Sequence, residues 1–227
     1  MNEKTFIQAG SLAAIIGVIL LLIFTFLHPL KADPGDAEAA FLEYAADPYW
    51  VTIHLGQFFG VLLMVGALVA LYDTLAKERA GWLARFGVVT AVVSLAATAV
   101  LQAIDGVALK AMVDNWADAT PDHKPATFQA AFAVRQIEVG MASLMAILFG
   151  ITMLLYGFAI AASRIYPRWL GWVAVCAGAG TIAGGWITAH TGFSLRTMTI
   201  AAPFNLLMVV WMVVMGVLMW RRASLSE

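Results

Sequence analysis

The chain has 227 residues, of which 62% are hydrophobic and only 12% are charged, and its formal net charge is −1. A soluble globular domain is about half apolar and about a quarter charged, so this composition excludes an ordinary soluble domain. It also excludes a disordered chain, and the single cysteine excludes a disulfide-stapled secreted fold. The near-zero net charge provides no broad basic surface for nucleic acid.

Six apolar segments are long enough to cross a bilayer as helices, which takes roughly 20 residues each. We predict the spans at residues 6–27, 52–72, 86–104, 137–161, 169–189 and 198–220. They occupy most of the chain, so we predict an all-α polytopic membrane protein with a single integral membrane domain over residues 1–227. The runs are too uniformly apolar for barrel strands. The first run lacks a small-x-small cleavage site, and we interpret it as a retained helix.

The Lys and Arg residues predict how the spans are oriented, because cytoplasmic loops carry the excess of these residues. With the N-terminus inside, eight face the cytoplasm and five face outward. Both termini are therefore predicted to be cytoplasmic, in a bacterial cytoplasmic (inner) membrane. The long loops are then outside. We expect short helices within residues 36–44 and 106–124, and a fourth spanning helix that begins near Pro125, above the bilayer.

Two segments of the sequence resemble each other and indicate an internal repeat. Residues 53–56 (Ile-His-Leu-Gly) align with residues 137–140 (Ile-Glu-Val-Gly), and Leu-Tyr follows at the same offset in both. Both units run from outside to inside and back, so the repeat is parallel. We therefore predict a four-helix core made of spans 2–3 and 4–5, flanked by spans 1 and 6, with His54 and Glu138 at equivalent positions.

Polar residues inside the predicted spans gather at their outer ends. Several pairs have the i, i+3 spacing that puts two side chains on one helix face. Ionisable groups at such a depth normally face a bundle interior or a wet cavity. The sequence therefore predicts a polar site at the extracytoplasmic end of the bundle. Its members are His28, His54, Gln57, Gln102, Asp105, Arg135, Glu138, His190 and Asn205.

Our leading hypothesis is that this cluster binds a ligand or a metal ion. The predicted metal ligands are His54, Asp105, Glu138 and His190, since imidazole and carboxylate groups together suit zinc or a similar divalent ion. No HExxH or other compact ligand motif is present. Arg135 would also compete with a metal for the two carboxylates.

Two other interpretations stay open. A haem b could be held by His54 and His190, which would make the chain an electron-transfer protein, although no CxxCH attachment motif is present. Alternatively, Arg135, Asp105 and Glu138 form a structural ion-pair network. The protein would then be a non-catalytic accessory chain that works with a membrane partner subunit or as a homo-oligomer.

Two common catalytic motifs are absent from the sequence. There is no Walker A motif, so we expect no nucleotide bound in the P-loop manner. There is also no GxSxG nucleophile elbow. The sequence predicts the lipid bilayer as the environment of the protein. It indicates neither a substrate nor whether the protein is an enzyme.

Overall fold

The computed structural model describes residues 2–29 and 31–225, and this part of the chain is helical apart from short connections. Its elements in chain order are α1 Glu3–Leu27, α2 Ala37–Ala46, α3 Trp50–Leu75, α4 Gly81–Gln102, a π-helical turn Ala103–Leu109, α5 Lys110–Ala117, α6 Lys124–Ala162, α7 Arg168–Thr191 and α8 Leu195–Leu225.

Within the described residues, six helices are long and apolar enough to cross a membrane. They are α1, α3, α4 with its continuation through α5, α6, α7 and α8. The predicted all-α fold with six spans is therefore confirmed, and the chain has the architecture of a multi-pass membrane protein. The short helix expected within residues 36–44 is α2. Its first turn is capped by the Asp36 carboxylate, which accepts a hydrogen bond from the amide of Ala39 at 3.1 Å.

All six described spans are longer than the hydropathy pattern predicted, and the third and fourth differ most. The third was expected to end at residue 104, but the π-helical turn adds residues without breaking the backbone hydrogen bonds, so the helix continues into α5. The fourth begins at Lys124, with Pro125 in its first turn, as expected. At 39 residues, α6 is about 58 Å long, whereas a bilayer core is about 30 Å thick, so α6 extends well beyond it.

The six spans pack side by side into a closed ring. In order around the ring they are α1, α3, α4, α6, α7 and α8, and α8 packs back against α1. The first and last spans therefore complete the ring, and a separate four-helix core is not confirmed; the internal repeat stays a prediction. Apolar side chains from all the spans fill the middle, among them Met64, Leu71, Met153, Tyr156 and Met215.

The two ends of the bundle differ in how they are closed. One end carries α2, α5 and the first turns of α3 and α6, and we call it the His54 end. A second hydrophobic cluster lies there, built from Phe41, Tyr44, Trp50, Leu109 and Trp116 with their neighbours. The opposite end is closed by the short connections 76–80 and 163–167.

Candidate functional site

The site is built around His54, which lies in the second turn of α3 with only 1% of its surface exposed. Its Nδ1 atom is 2.7 Å from the carbonyl oxygen of Trp50. A carbonyl can only accept a hydrogen bond, so Nδ1 carries the hydrogen and donates it. The other ring nitrogen, Nε2, lies 3.0 Å from Oδ2 of Asp105. The backbone of α3 thus fixes the ring orientation and directs Nε2 at a carboxylate.

Asp105 reaches His54 from the π-helical turn. Its side chain is 18% exposed, and its carbonyl oxygen accepts a hydrogen bond from Nε1 of Trp50 at 3.0 Å. The next residue, Gly106, permits this approach, because a Cβ atom there would lie 2.5 Å from the Cβ of His54. Such π-helical turns occur frequently at functional sites. Here the turn brings a carboxylate and an imidazole into direct contact.

Aromatic rings enclose His54 on the side of α1 and α2. The Trp50 ring lies 4.5 Å from the His54 ring, and the Tyr44 ring lies 4.1 Å from that of Trp50, centroid to centroid. The His28 ring lies 5.2 Å from His54. His28 follows the first span, and burial lowers its pKa, with nearby His54 lowering it further. His28 is therefore neutral at neutral pH, and its Nδ1 lies 2.8 Å from the carbonyl oxygen of Pro29.

Arg135 is buried beside this wall, and its hydrogen bonds among the described residues go to neutral acceptors. Its guanidinium donates to the hydroxyl of Tyr44 at 3.0 Å and to the carbonyl oxygen of Pro34 at 2.6 Å. It also lies between 5.6 and 5.8 Å from the ring centroids of Phe41, Tyr44 and Phe193. Burial raises the pKa of the Tyr44 hydroxyl, which is therefore protonated at neutral pH.

The proposed ion-pair network has no direct contacts in the part of the chain that the structure describes. Arg135 makes neither a hydrogen bond nor an ion pair with Asp105 or Glu138 there. Its hydrogen bonds join α6 to the segment around α2 instead. The sequence could not show that neutral acceptors 91 and 101 residues earlier in the chain would satisfy Arg135.

Glu138 is the buried group with the least satisfied side chain. It is only 6% exposed, and its Oε2 atom has no hydrogen-bond partner within residues 2–29 and 31–225. The Oε1 atom of Gln102, one turn before Asp105, is also buried and has no hydrogen-bond partner among the described residues. An acceptor left unpaired in a buried position costs about 1–3 kcal/mol. Among the described residues these two are the buried side-chain atoms without partners, and both belong to the cluster predicted from the sequence.

His190 lies apart from the buried pair. It is near the end of α7, its side chain is exposed, and its Nδ1 lies 2.9 Å from the carbonyl oxygen of Trp186. The structure thus joins His54 to Asp105 and buries Glu138 within the electrostatic reach of Asp105, but leaves His190 at the surface. Across residues 2–29 and 31–225, no set of three or more His, Cys, Asp or Glu side chains is arranged to hold a metal ion.

Several residues that shape the site were missed by the sequence analysis. Trp50 and Tyr44 were not predicted as members of the polar cluster, yet they form the wall beside His54. One signal for Trp50 was available, since a residue four positions before a helical histidine offers it a carbonyl. The glycine directly after Asp105 was a second signal, because a glycine inside an apolar helix often marks a close approach.

Comparison with known proteins adds a family but no activity. Residues 8–216 match the family model described as "Domain of unknown function (DUF4386)". Searches of the curated proteins and of the solved structures found no significant match.

Proposed function

The chain belongs to the DUF4386 family, whose function is unknown, and we propose that it binds a divalent metal cation, such as zinc, at the His54 end of its helix bundle. His54 and Asp105 are the proposed ligands, and Glu138 is the proposed third. This function follows from the chemistry of the site, because the family gives no activity to start from.

The observation that carries the proposal is the fixed orientation of the His54 ring. A metal-ligating histidine almost always donates its second ring N–H to a carbonyl or carboxylate, which sets the tautomer and aims the ring. His54 has this arrangement, with Nδ1 directed at the Trp50 carbonyl. Its Nε2 lies 3.0 Å from Oδ2 of Asp105. One cation at the usual distance of about 2.0–2.2 Å could bind both atoms.

Glu138 supports the same ligand chemistry. Its buried Oε2 atom needs a donor or a cation, and so does the Oε1 atom of Gln102. Oxygen acceptors without donors favour a positively charged ligand over an anion. Because the described residues hold no preformed set of three ligands, the proposal requires Glu138 to approach the pair when the ion binds.

His190 was predicted as a ligand from its sequence position, both for a metal and for haem b. Its exposed side chain lies beside Trp186, away from the contacts of His54. No contact of His190 favours either role, so the proposal rests on the buried residues. A haem held by His54 and His190 is an outcome that the experiment below would detect directly.

The proposed location is a bacterial cytoplasmic membrane with the site on the extracytoplasmic side. The support is the excess of Lys and Arg in the segments at the opposite end of the bundle. The N-terminal extension of α6, together with α2 and α5, then lies outside the bilayer. Labelling of a cysteine introduced at position 122 from outside intact cells, with no labelling at position 78, is the expected result.

The experiment that tests the function is a metal analysis and a visible spectrum of the purified full-length protein. We expect close to one divalent ion per chain and no Soret band. His54→Ala should lose the ion, whereas His123→Ala, which changes an exposed histidine in the 118–123 connection, should keep it.

Other results would reject the metal site. A Soret band that disappears in His54→Ala would select haem b. The absence of both metal and haem, with zinc added to the purified protein giving no His54-dependent binding, would leave the accessory-subunit interpretation.

A further inference from the structure

The buried guanidinium of Arg135 joins two segments that are far apart in the sequence. Both of its acceptors, the Pro34 carbonyl and the Tyr44 hydroxyl, lie in residues 33–46, a segment that contains α2. Arg135 itself is 3% exposed and belongs to the long helix α6. Hydrogen bonds from a charged donor are about twice as strong as neutral ones. Arg135 is therefore a strong and specific tie between residues 33–46 and the bundle.

Residues 33–46 are connected to the His54 site through one stack of rings. Tyr44 packs on Trp50 at 4.1 Å, and Trp50 packs on His54 at 4.5 Å, centroid to centroid. Apart from this stack, α2 packs against α5 and, through the rings of Phe41 and Phe128 at 5.6 Å, against the first turns of α6. This hydrophobic cluster is separate from the core between the spans, so opening of the segment would leave that core in place.

We propose that residues 33–46 form a lid over His54 and that Arg135 is its latch, so that release of Arg135 opens the path to the site. The identity of the entering ligand rests on the proposed function, but the lid and its latch can be tested without any ligand. Arg135 suits this role because it makes no ion pair with Asp105 or Glu138 among the described residues. Releasing it therefore leaves the contact between His54 and Asp105 in place.

The first test measures hydrogen–deuterium exchange of the full-length protein by mass spectrometry. Tyr44→Phe keeps the stacked ring but removes one acceptor of Arg135, and Arg135→Lys keeps the charge but loses the forked geometry. Both should raise amide exchange in residues 33–46 about tenfold, with α3 and α6 unchanged. The matched controls are Tyr49→Phe and Arg196→Lys, which alter exposed side chains and should change nothing.

The second test measures access to His54 with diethyl pyrocarbonate, which modifies accessible imidazoles, followed by peptide mapping. His54 should be almost unreactive in the parent protein and react at least tenfold faster in both variants. The exposed side chains of His123 and His190 serve as internal controls and should react equally in every sample.

Each outcome supports or overturns the lid. Faster exchange in residues 33–46 together with faster modification of His54 supports it. Faster exchange without any change at His54 would show that the segment does not control access. Unchanged exchange in both variants, or a uniform increase over all helices, would show that Arg135 is not a latch. None of these readings depends on metal binding, so the lid and the metal site can fail separately.

Discussion

The His54 end and the rest of the bundle differ in whether their buried polar groups have hydrogen-bond partners. Away from the His54 end, they find partners within the protein: the Tyr156 hydroxyl donates to the Leu68 carbonyl at 2.6 Å, and that of Tyr166 donates to Thr74 at 3.1 Å. At the His54 end, Glu138 and Gln102 have buried oxygens without partners among the described residues. Most buried polar groups in folded proteins have hydrogen-bond partners, so these two oxygens distinguish the His54 end from the rest of the bundle.

The same contrast holds for the backbone. The opposite end uses short connections and side-chain ties such as the Glu78 carboxylate, which accepts from the Arg164 amide at 3.1 Å. The His54 end contains a π-helical turn, an extended helix and a separate apolar cluster. These features add length and irregularity that span packing does not require. They place Asp105 against His54 and Arg135 against residues 33–46.

The largest expected effect comes from Arg135→Ala. Loss of the guanidinium leaves the Tyr44 hydroxyl and the Pro34 carbonyl without their donor and should lower the free energy of unfolding by about 3 kcal/mol. Because Arg135 does not pair with Asp105, adding Asp105→Asn should not restore the loss. Thermal unfolding of the single and double variants in detergent measures the loss in stability and any restoration by Asp105→Asn. Restoration by Asp105→Asn would show that an ion-pair network, and not a latch, stabilises the His54 end.

The next effect comes from Gly106→Ala. The new methyl group would lie 2.5 Å from the Cβ of His54 and force α3 and the π-helical turn apart. We expect a loss of about 1–3 kcal/mol and weaker metal retention. The control is Gly140→Ala, because a Cβ atom at that position meets no atom within 4 Å. This substitution should stabilise α6 by up to about 1 kcal/mol. Equal effects of the two substitutions would contradict the close approach of His54 to the turn.

A smaller effect is expected at the opposite end from Tyr166→Phe. The variant loses the hydrogen bond to Thr74, and the free energy of unfolding should fall by about 1 kcal/mol. Metal content should be unchanged, because Tyr166 lies at the end of the bundle opposite the proposed ligands. A loss of bound metal in Tyr166→Phe would remove the functional contrast between the two ends.

The smallest effect is a pH dependence due to His28. The pKa of His28 in the folded protein lies below 6.5, the ordinary value that it has in the unfolded chain. Between the folded-state pKa and pH 6.5, the unfolded chain therefore binds more protons than the folded protein. This contribution to stability is complete above pH 6.5 and is lost as the pH falls through the folded-state pKa. In His28→Asn, the free energy of unfolding should change less with pH in that range than it does in the parent protein. Urea unfolding of both proteins at several pH values measures this difference. A parent and variant with the same slope would show that His28 is not protected from protonation at the His54 end.

The sequence predicted the spans and the end of the bundle where the polar residues gather, because hydropathy and helical spacing are local properties. It predicted α2 and the start of α6 from Asp36 and Pro125 for the same reason. The hydrogen bond between His54 and Asp105 joins residues 51 apart, so no spacing rule could give it. Nor could a local pattern show that Arg135 would reach back to Pro34 or that His190 would stay exposed.

The central claim is tested most directly by an equilibrium titration of the purified, metal-free protein with zinc, carried out on the parent and on Asp105→Asn. Asp105→Asn keeps the size of the side chain but removes the proposed charged ligand, and Asp122→Asn on the exposed 118–123 connection is its matched control. We expect one zinc ion per chain in the parent and in the control, and at least a hundredfold weaker binding in Asp105→Asn. Equal zinc affinity in all three proteins would contradict a cation site at the His54–Asp105 pair.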